Sequence, residues 1–306
     1  MIKRLYIFKI FLFPLVVFAQ DNLGDIQTES LSRNLHIISG AGGNIAVLDG
    51  EDGVFVIDNG MPFFLSKVVD SINNINPEPV RIVFNTHWHF DHSGGNDFFG
   101  RNGTLIVAQD NVRKRMSSKS FSRLTNSETK PSPYSALPLM TFDKEATFHI
   151  NGETVSAMHM SPAHTDGDSV LSFQNANVVH MGDLFFNGLY PVIDVTAGGS
   201  IRGMIEAIEQ ILPTINDSTR LIPGHGPVGN IDDLRTFKLM LVTVEEKILK
   251  LIEEGKTVEE VIAAKPSKNF DESWSWSFMP PDRWVSIVYD SIVFPEKALA
   301  SDLSGN

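Results

Sequence analysis

The 306-residue chain has no cysteine. Disulfides and lipid attachment at a cysteine are therefore excluded. Basic residues are also scarce: 25 Lys and Arg stand against 37 Asp and Glu, a formal charge of -12. A chain of that sign repels phosphates, so neither nucleic acid nor an anionic membrane surface is an expected partner. The N-terminal apolar run, Leu5 to Phe18, is too short for a membrane span and is broken by Lys9 and Pro14. With Lys3 and Arg4 before it and Val17-Phe18-Ala19 at its end, it makes residues 1–19 a candidate secretory signal. An uncleaved N-terminal anchor is the alternative. The expected location is bacterial, periplasmic or secreted, with no stable membrane anchor. Oxidising compartments permit disulfides without requiring them. What remains is ordinary globular composition, 42% hydrophobic and 20% charged, enough for one large domain or two modest ones.

Apolar spacing divides the chain into alternating strands and helices. Leu35–Ser39, Ile45–Leu48 and Val54–Asp58 read as strands separated by glycine-rich turns. Pro62 to Ile75 has helical spacing. Val80–Phe84 and Thr104–Ala108 are further strands, with a short helix over Asn111–Met116. Residues 117–140 are rich in Ser, Thr and Pro and read as a long loop over a cleft. Ala146–Ile150, Thr154–Met160, Val170–Phe173, Val178–Met181 and Leu221–Ile222 form a second run of strands. Helices are expected after Ser200, over Asp232–Glu254, and after the capping box Thr257-Val258-Glu259-Glu260. The order fits a two-layered sheet core with helices on both outer sides. Trp274, Trp276, Phe278 and Trp284 near the end read as packing residues.

The densest chemistry lies in Thr86-His87-Trp88-His89-Phe90-Asp91-His92. Three imidazoles and a carboxylate in so short a stretch, directly after an apolar strand, suit a metal site on a rigid scaffold. His87 and His89 can point to one ion, and Asp91 and His92 to a second. Three more candidates sit among turn residues after apolar runs: His164, Asp183 and His225. Asp58, Asp166 and Asp168 stand where a carboxylate can orient a metal-bound imidazole, although a turn role serves Asp58 equally well. Tyr190 is a candidate oxyanion donor. His36, His149, His159 and His180 match no motif, and His180 stands close to Asp183.

This spaced set, from about Leu35 to Phe237, resembles the metallo-β-lactamase-fold hydrolases. It comprises His-x-His-x-Asp-His, then His164, Gly182-Asp183 and Gly224-His225-Gly226. The resemblance implies an α+β chain folded as a four-layer αββα sandwich, with the fold domain over 30–255 and a helical extension, 256–306, packed on it. It implies two zinc ions per chain: His87, His89 and His164 on the first, and Asp91, His92 and His225 on the second. Asp183 would bridge them. Two such ions make water reactive towards a carbonyl carbon, and Asp91 would orient that water and carry its proton to the leaving group.

The fold serves many activities, so residue chemistry must narrow it. β-Lactamase subclasses with cysteine at the position of Asp183 do not fit a chain without one. They often carry Lys three residues later, where Phe186 stands. The ligand set looks more like that of glyoxalase II and the acyl-homoserine lactonases. The expected activity is hydrolysis of a small ester, lactone, thioester or amide, with Leu184, Phe185, Phe186, Leu189 and Tyr190 forming an apolar pocket. A β-lactamase proper is one alternative. A persulfide-dioxygenase-like oxygenase, with iron on His87, His164 and Asp183, is another. A non-catalytic metal binder is the third. Oligomeric state is not legible.

Overall fold

A computed structural model describes residues 25–122, 127–160 and 162–294. The candidate secretory signal lies outside the described residues. The first sheet runs β1 (Gln27–Ser30), β2 (Leu35–Ser39), β3 (Ile45–Leu48), β4 (Val54–Ile57), β5 (Val80–Asn85), β6 (Leu105–Gln109) and, after the small ribbon β7 (Ser120–Ser122) and β8 (Ser127–Thr129), β9 (Met140–Phe142). Its first four strands pair antiparallel and the rest parallel. The second sheet is β10 (Glu145–Ile150), β11 (Glu153–His159), β12 (Ser169–Phe173), β13 (Val178–Phe186) and β14 (Arg220–His225), with only β14 parallel to its neighbour.

Period-two alternation explains the layering. Ala46, Leu48, Phe55, Ile57 and Phe84 of the first sheet face Val155, Ala157, Leu171, Phe173 and Ile222 of the second. Their sequence neighbours Ile45, Val47, Val54, Val56 and Val83 point outward, onto α1 (Leu65–Ile75) through Val68 and Ile72. Both faces of β3 and β4 are buried, so these strands read as continuous apolar runs. Two short helices, α2 (Phe90–Ser93) and α3 (Asn96–Arg101), follow β5, and α4 (Asp110–Met116) follows β6. Beyond the second sheet, α5 (Ile201–Ile211) and α6 (Ile231–Glu253) share one core with α7 (Val258–Ala264), α8 (Asp271–Trp274) and α9 (Pro281–Val293). The result is the αββα sandwich. No helix among the described residues is long and apolar enough to cross a membrane.

Several sequence expectations change. Residues 117–140 are not a structureless loop. They contain the β7–β8 ribbon, and their second half is tied down: Ser132 N–H donates to Met116 O and Leu139 N–H to Ile106 O. The expected apolar pocket of Leu184, Phe185, Phe186, Leu189 and Tyr190 is instead core, with every side chain fully buried except Leu189, which packs against it half-buried. Strand β13 extends through Phe186, which draws those residues into the packing. Trp274, Phe278 and Trp284 are buried as packing residues, whereas Trp276 is only half-buried.

Candidate metal centre

Seven side chains from both sheets meet at one edge of the sandwich. His87, His89, His164 and Asp183 form one group, and Asp91, His92 and His225 another; within each, one ligand-capable atom per residue lies within 4.8 Å of the others. His164 Nε2 is 2.9 Å from His89 Nδ1 and 3.4 Å from Asp183 Oδ2. His87 Nε2 is 3.8 Å from Asp183 Oδ2. In the second group His225 Nε2 is 3.2 Å from Asp91 Oδ2 and 3.4 Å from His92 Nε2. Asp183 Oδ1 reaches this group too, 3.0 Å from His92 Nε2 and 3.5 Å from His225 Nε2. One carboxylate therefore faces both groups, one oxygen to each. A tetrahedral ion with bonds of 2.0–2.2 Å separates its ligand atoms by about 3.3–3.6 Å. The observed spacings bracket that value.

The backbone places these groups in two ways. The His87–His92 loop hangs on Asp58, which accepts from Thr86 N at 2.8 Å, Thr86 Oγ1 at 2.7 Å and His92 Nδ1 at 2.8 Å. Asp58 sits at φ +60°, a conformation non-glycine residues seldom adopt, and these bonds hold it there. On the second sheet Asp183 lies within β13, not in a turn after it, where pairing to β14 shifts register between His180 and Phe186. Gly182 takes φ +51°, and a side chain at Gly224 would come within 1.9 Å of Asp183 Oδ1. Asn44 ties the two edges together, its Nδ2 donating to Pro223 O and Gly226 O at 2.9 Å.

Each ring's far nitrogen decides which nitrogen is free for an ion. His92 Nδ1 donates to Asp58 and His164 Nδ1 to Val192 O at 2.7 Å, leaving both Nε2 lone pairs inward. His89 is reversed: Nε2 donates to Asp194 at 2.9 Å, so Nδ1 faces the group. His87 Nε2 and Asp183 Oδ1 are buried and make no hydrogen bond. Polar atoms left so cost free energy unless a ligand satisfies them.

The electrostatics agree. Burial raises the Asp91 carboxyl, but His92 and His225 outweigh it and hold its pKa at about 2. Burial works against the ionised form of Asp183 as well, yet the imidazoles around it keep it well below its usual range. Burial lowers His92 and His225, but Asp183 and Asp91 raise both, His225 to about 9. Burial brings His164 down to about 4 and holds His87 well below the usual imidazole range, with His92 adding repulsion. Burial also pulls on His89, but the bond to Asp194 leaves it raised. Two ionised carboxylates are thus sealed among imidazoles and draw positive charge towards the positions that face them. Such a donor set of imidazole and carboxylate fits divalent zinc.

Of the expected carboxylates, Asp58 holds an imidazole. Asp166 instead pairs with Arg115 at 2.9 Å, and Asp168 accepts from Thr165 N at 2.8 Å, so both shape the loop around His164. Asp194, inside the apolar stretch Pro191–Val195, holds His89 and escaped sequence reasoning; its only signal was a charge among apolar neighbours. His180 is buried and structural, its Nδ1 accepting from Gly182 N at 3.2 Å. The expected oxyanion role of Tyr190 does not hold. Its hydroxyl donates to Asp271 at 2.8 Å and its ring stacks on Trp284 at 4.0 Å, so it anchors the C-terminal helices.

The model of the metallo-beta-lactamase superfamily matches residues 39–229. The chain belongs to that superfamily and is a metal-dependent hydrolase. Solved structures share the fold at low identity. A metallo-beta-lactamase from Pontibacter korlensis is 18% identical, with 71% of this chain and 98% of that one covered and a TM-score of 0.60. The DIM-1 metallo-beta-lactamase is 16% identical, with 71% and 97% covered and a TM-score of 0.59. The stereoselective inverting sec-alkylsulfatase Pisa1 from Pseudomonas sp. is 16% identical, with a TM-score of 0.65. That match covers 90% of this chain but 52% of the sulfatase, so the chain spans about half the sulfatase's length.

Proposed function

We propose that the chain is an exported hydrolase holding two zinc ions, which cleaves an ester, lactone, thioester or amide, β-lactams among them, in a small-molecule substrate. The observation that carries this is Asp183, buried between two groups of imidazoles with an oxygen towards each. His87, His89, His164 and Asp183 would hold one ion, and Asp91, His92, His225 and Asp183 the other. The ions, when bound, supply Lewis-acid activation of water and of the substrate's carbonyl. The protein does the rest. Asp91, kept ionised, orients the attacking water and passes its proton to the leaving group. Asp58, Asp194 and the Val192 carbonyl fix the imidazoles before substrate arrives, which lowers reorganisation during reaction.

A shared carboxylate between two groups favours this reading over a single iron on His87, His164 and Asp183, for which Asp91, His92 and His225 would have no use. The sulfatase match reaches 90% of the chain, against 71% for the lactamases, which adds sulfate esters to the substrates worth testing. Export rests on Lys3, Arg4 and the apolar run behind them. The test is elemental analysis of purified protein, followed by a screen of zinc-loaded protein against lactones, thioesters, phosphoesters, sulfate esters and β-lactams. Two zincs per chain and turnover of at least one carbonyl ester class are expected. Asp91→Asn should lose that turnover while staying folded. One iron with oxygen uptake would overturn the proposal, as would an Asp91→Asn variant with full activity.

A further inference from the structure

Two residues just before β3, Gly43 and Asn44, touch every member of the second group. Gly43 N–H donates to Asp91 O at 3.1 Å. Gly43 also lies against the His92 ring, so closely that a side chain on it would come within 2.1 Å of Cε1. Asn44 holds the turn that carries His225 from both sides. Its N–H donates to Gly224 O at 2.8 Å, and its Nδ2 donates to Pro223 O and Gly226 O at 2.9 Å. The fully buried His180 extends this support to the shared carboxylate: its Nε2 donates to Asn44 O at 3.3 Å, while its Nδ1 accepts from the N–H of Gly182, next to Asp183.

The first group is held by another stretch. His89 donates to Asp194, and His164 to Val192 O. The two groups therefore have separate supports, residues 43–44 for one and 192–194 for the other. The side chain of Asn44 suits its task. It is 3% exposed, and an amide buried so deeply is costly unless its donors are bonded. A short amide with two N–H donors matches two carbonyls that flank one histidine. Alanine would leave both carbonyls without that partner and free the turn that carries His225.

We infer that Gly43 and Asn44 are positioning residues that set the zinc affinity of the second position, Asp91, His92 and His225, and leave that of the first to residues 192–194. The inference rests on the two-zinc reading above and deepens it. A donor set held in place before the ion arrives binds it without first having to be ordered.

Crystals of the full chain, equilibrated at stepped concentrations of buffered free zinc, test this. The zinc-edge anomalous signal gives an occupancy, and so an affinity, for each position. Competition with a chromophoric chelator checks both constants in solution. Asn44→Ala should weaken the second position by about 10–100-fold, the usual cost of removing an outer support, and leave the first unchanged within error. Gly43→Ala, which presses on the His92 ring instead, should do the same. Asp194→Asn should do the reverse. If neither Asn44→Ala nor Gly43→Ala weakens the second position selectively, because both positions fall together or neither falls, the inference is overturned and the two-zinc reading stands. A wild type with fewer than two zinc positions overturns that reading, and the inference with it.

Discussion

The two sheets present their share of the centre by different physical means. On the first sheet the groups sit in a loop, and a hydrogen-bonded carboxylate, Asp58, holds that loop from behind. On the second, Asp183 and His225 lie within strands and His164 in the loop between β11 and β12, and space decides where the shared carboxylate sits: Asp183 fits because Gly224 has no side chain. Bonds can be weakened by degrees, whereas a filled space displaces its neighbour outright. The two edges should therefore fail differently.

The largest effect should come from filling the space. In Gly224→Ala the new methyl meets Asp183 Oδ1 at 1.9 Å and Asp183 N at 2.9 Å, so the shared carboxylate must move. A displacement of about 1 Å costs on the order of 100-fold in activity, and zinc measured per chain should fall below that of the wild type. Weakening the bonds should cost less. Asp58→Asn and Asp194→Asn each remove the charged partner of an imidazole, with an expected loss of about 10–100-fold in zinc affinity. Competition with a chromophoric chelator measures it. Asp58→Asn should be the worse of the two, because Asp58 also holds the Thr86 backbone.

Asp168 sharpens the contrast through pH. Burial raises its carboxyl from the usual 3.8 to about 8. Across that window the folded chain binds the proton that the unfolded chain releases, so Asp168 costs stability progressively from about pH 4 to pH 8 and no further above it. The stability of Asp168→Asn relative to wild type should therefore improve as pH rises through this range and level off beyond it, as read from urea midpoints at equal zinc loading. The smallest effect belongs to Tyr190→Phe. It removes the hydroxyl bond to Asp271 and should lower stability by about 1 kcal/mol while leaving zinc content unchanged.

This difference between edges also governs what the sequence revealed. His87, His89, Asp91 and His92 were legible because one loop carries them close together. The sandwich was legible because the strands stand out either as apolar runs, as in β3 and β4, or as alternating ones, as in β11. His164, Asp183 and His225 stand alone in the chain, and the family resemblance supplied their common purpose. Asp194 remained hidden. It reaches the centre from a distant stretch through a single hydrogen bond, and only a charge among apolar neighbours marks it. Tyr190 was misassigned because its nearness to Asp183 in sequence says nothing of where its ring turns once α8 and α9 pack against it.

Anomalous diffraction at the zinc edge, from crystals of the zinc-loaded protein, addresses the central assignment most directly. Two peaks are predicted, one within bonding distance of His87 Nε2, His89 Nδ1 and His164 Nε2, the other of Asp91, His92 Nε2 and His225 Nε2, with Asp183 reaching both. A lone peak, or a pair that leaves Asp183 without contact to either ion, would contradict the account.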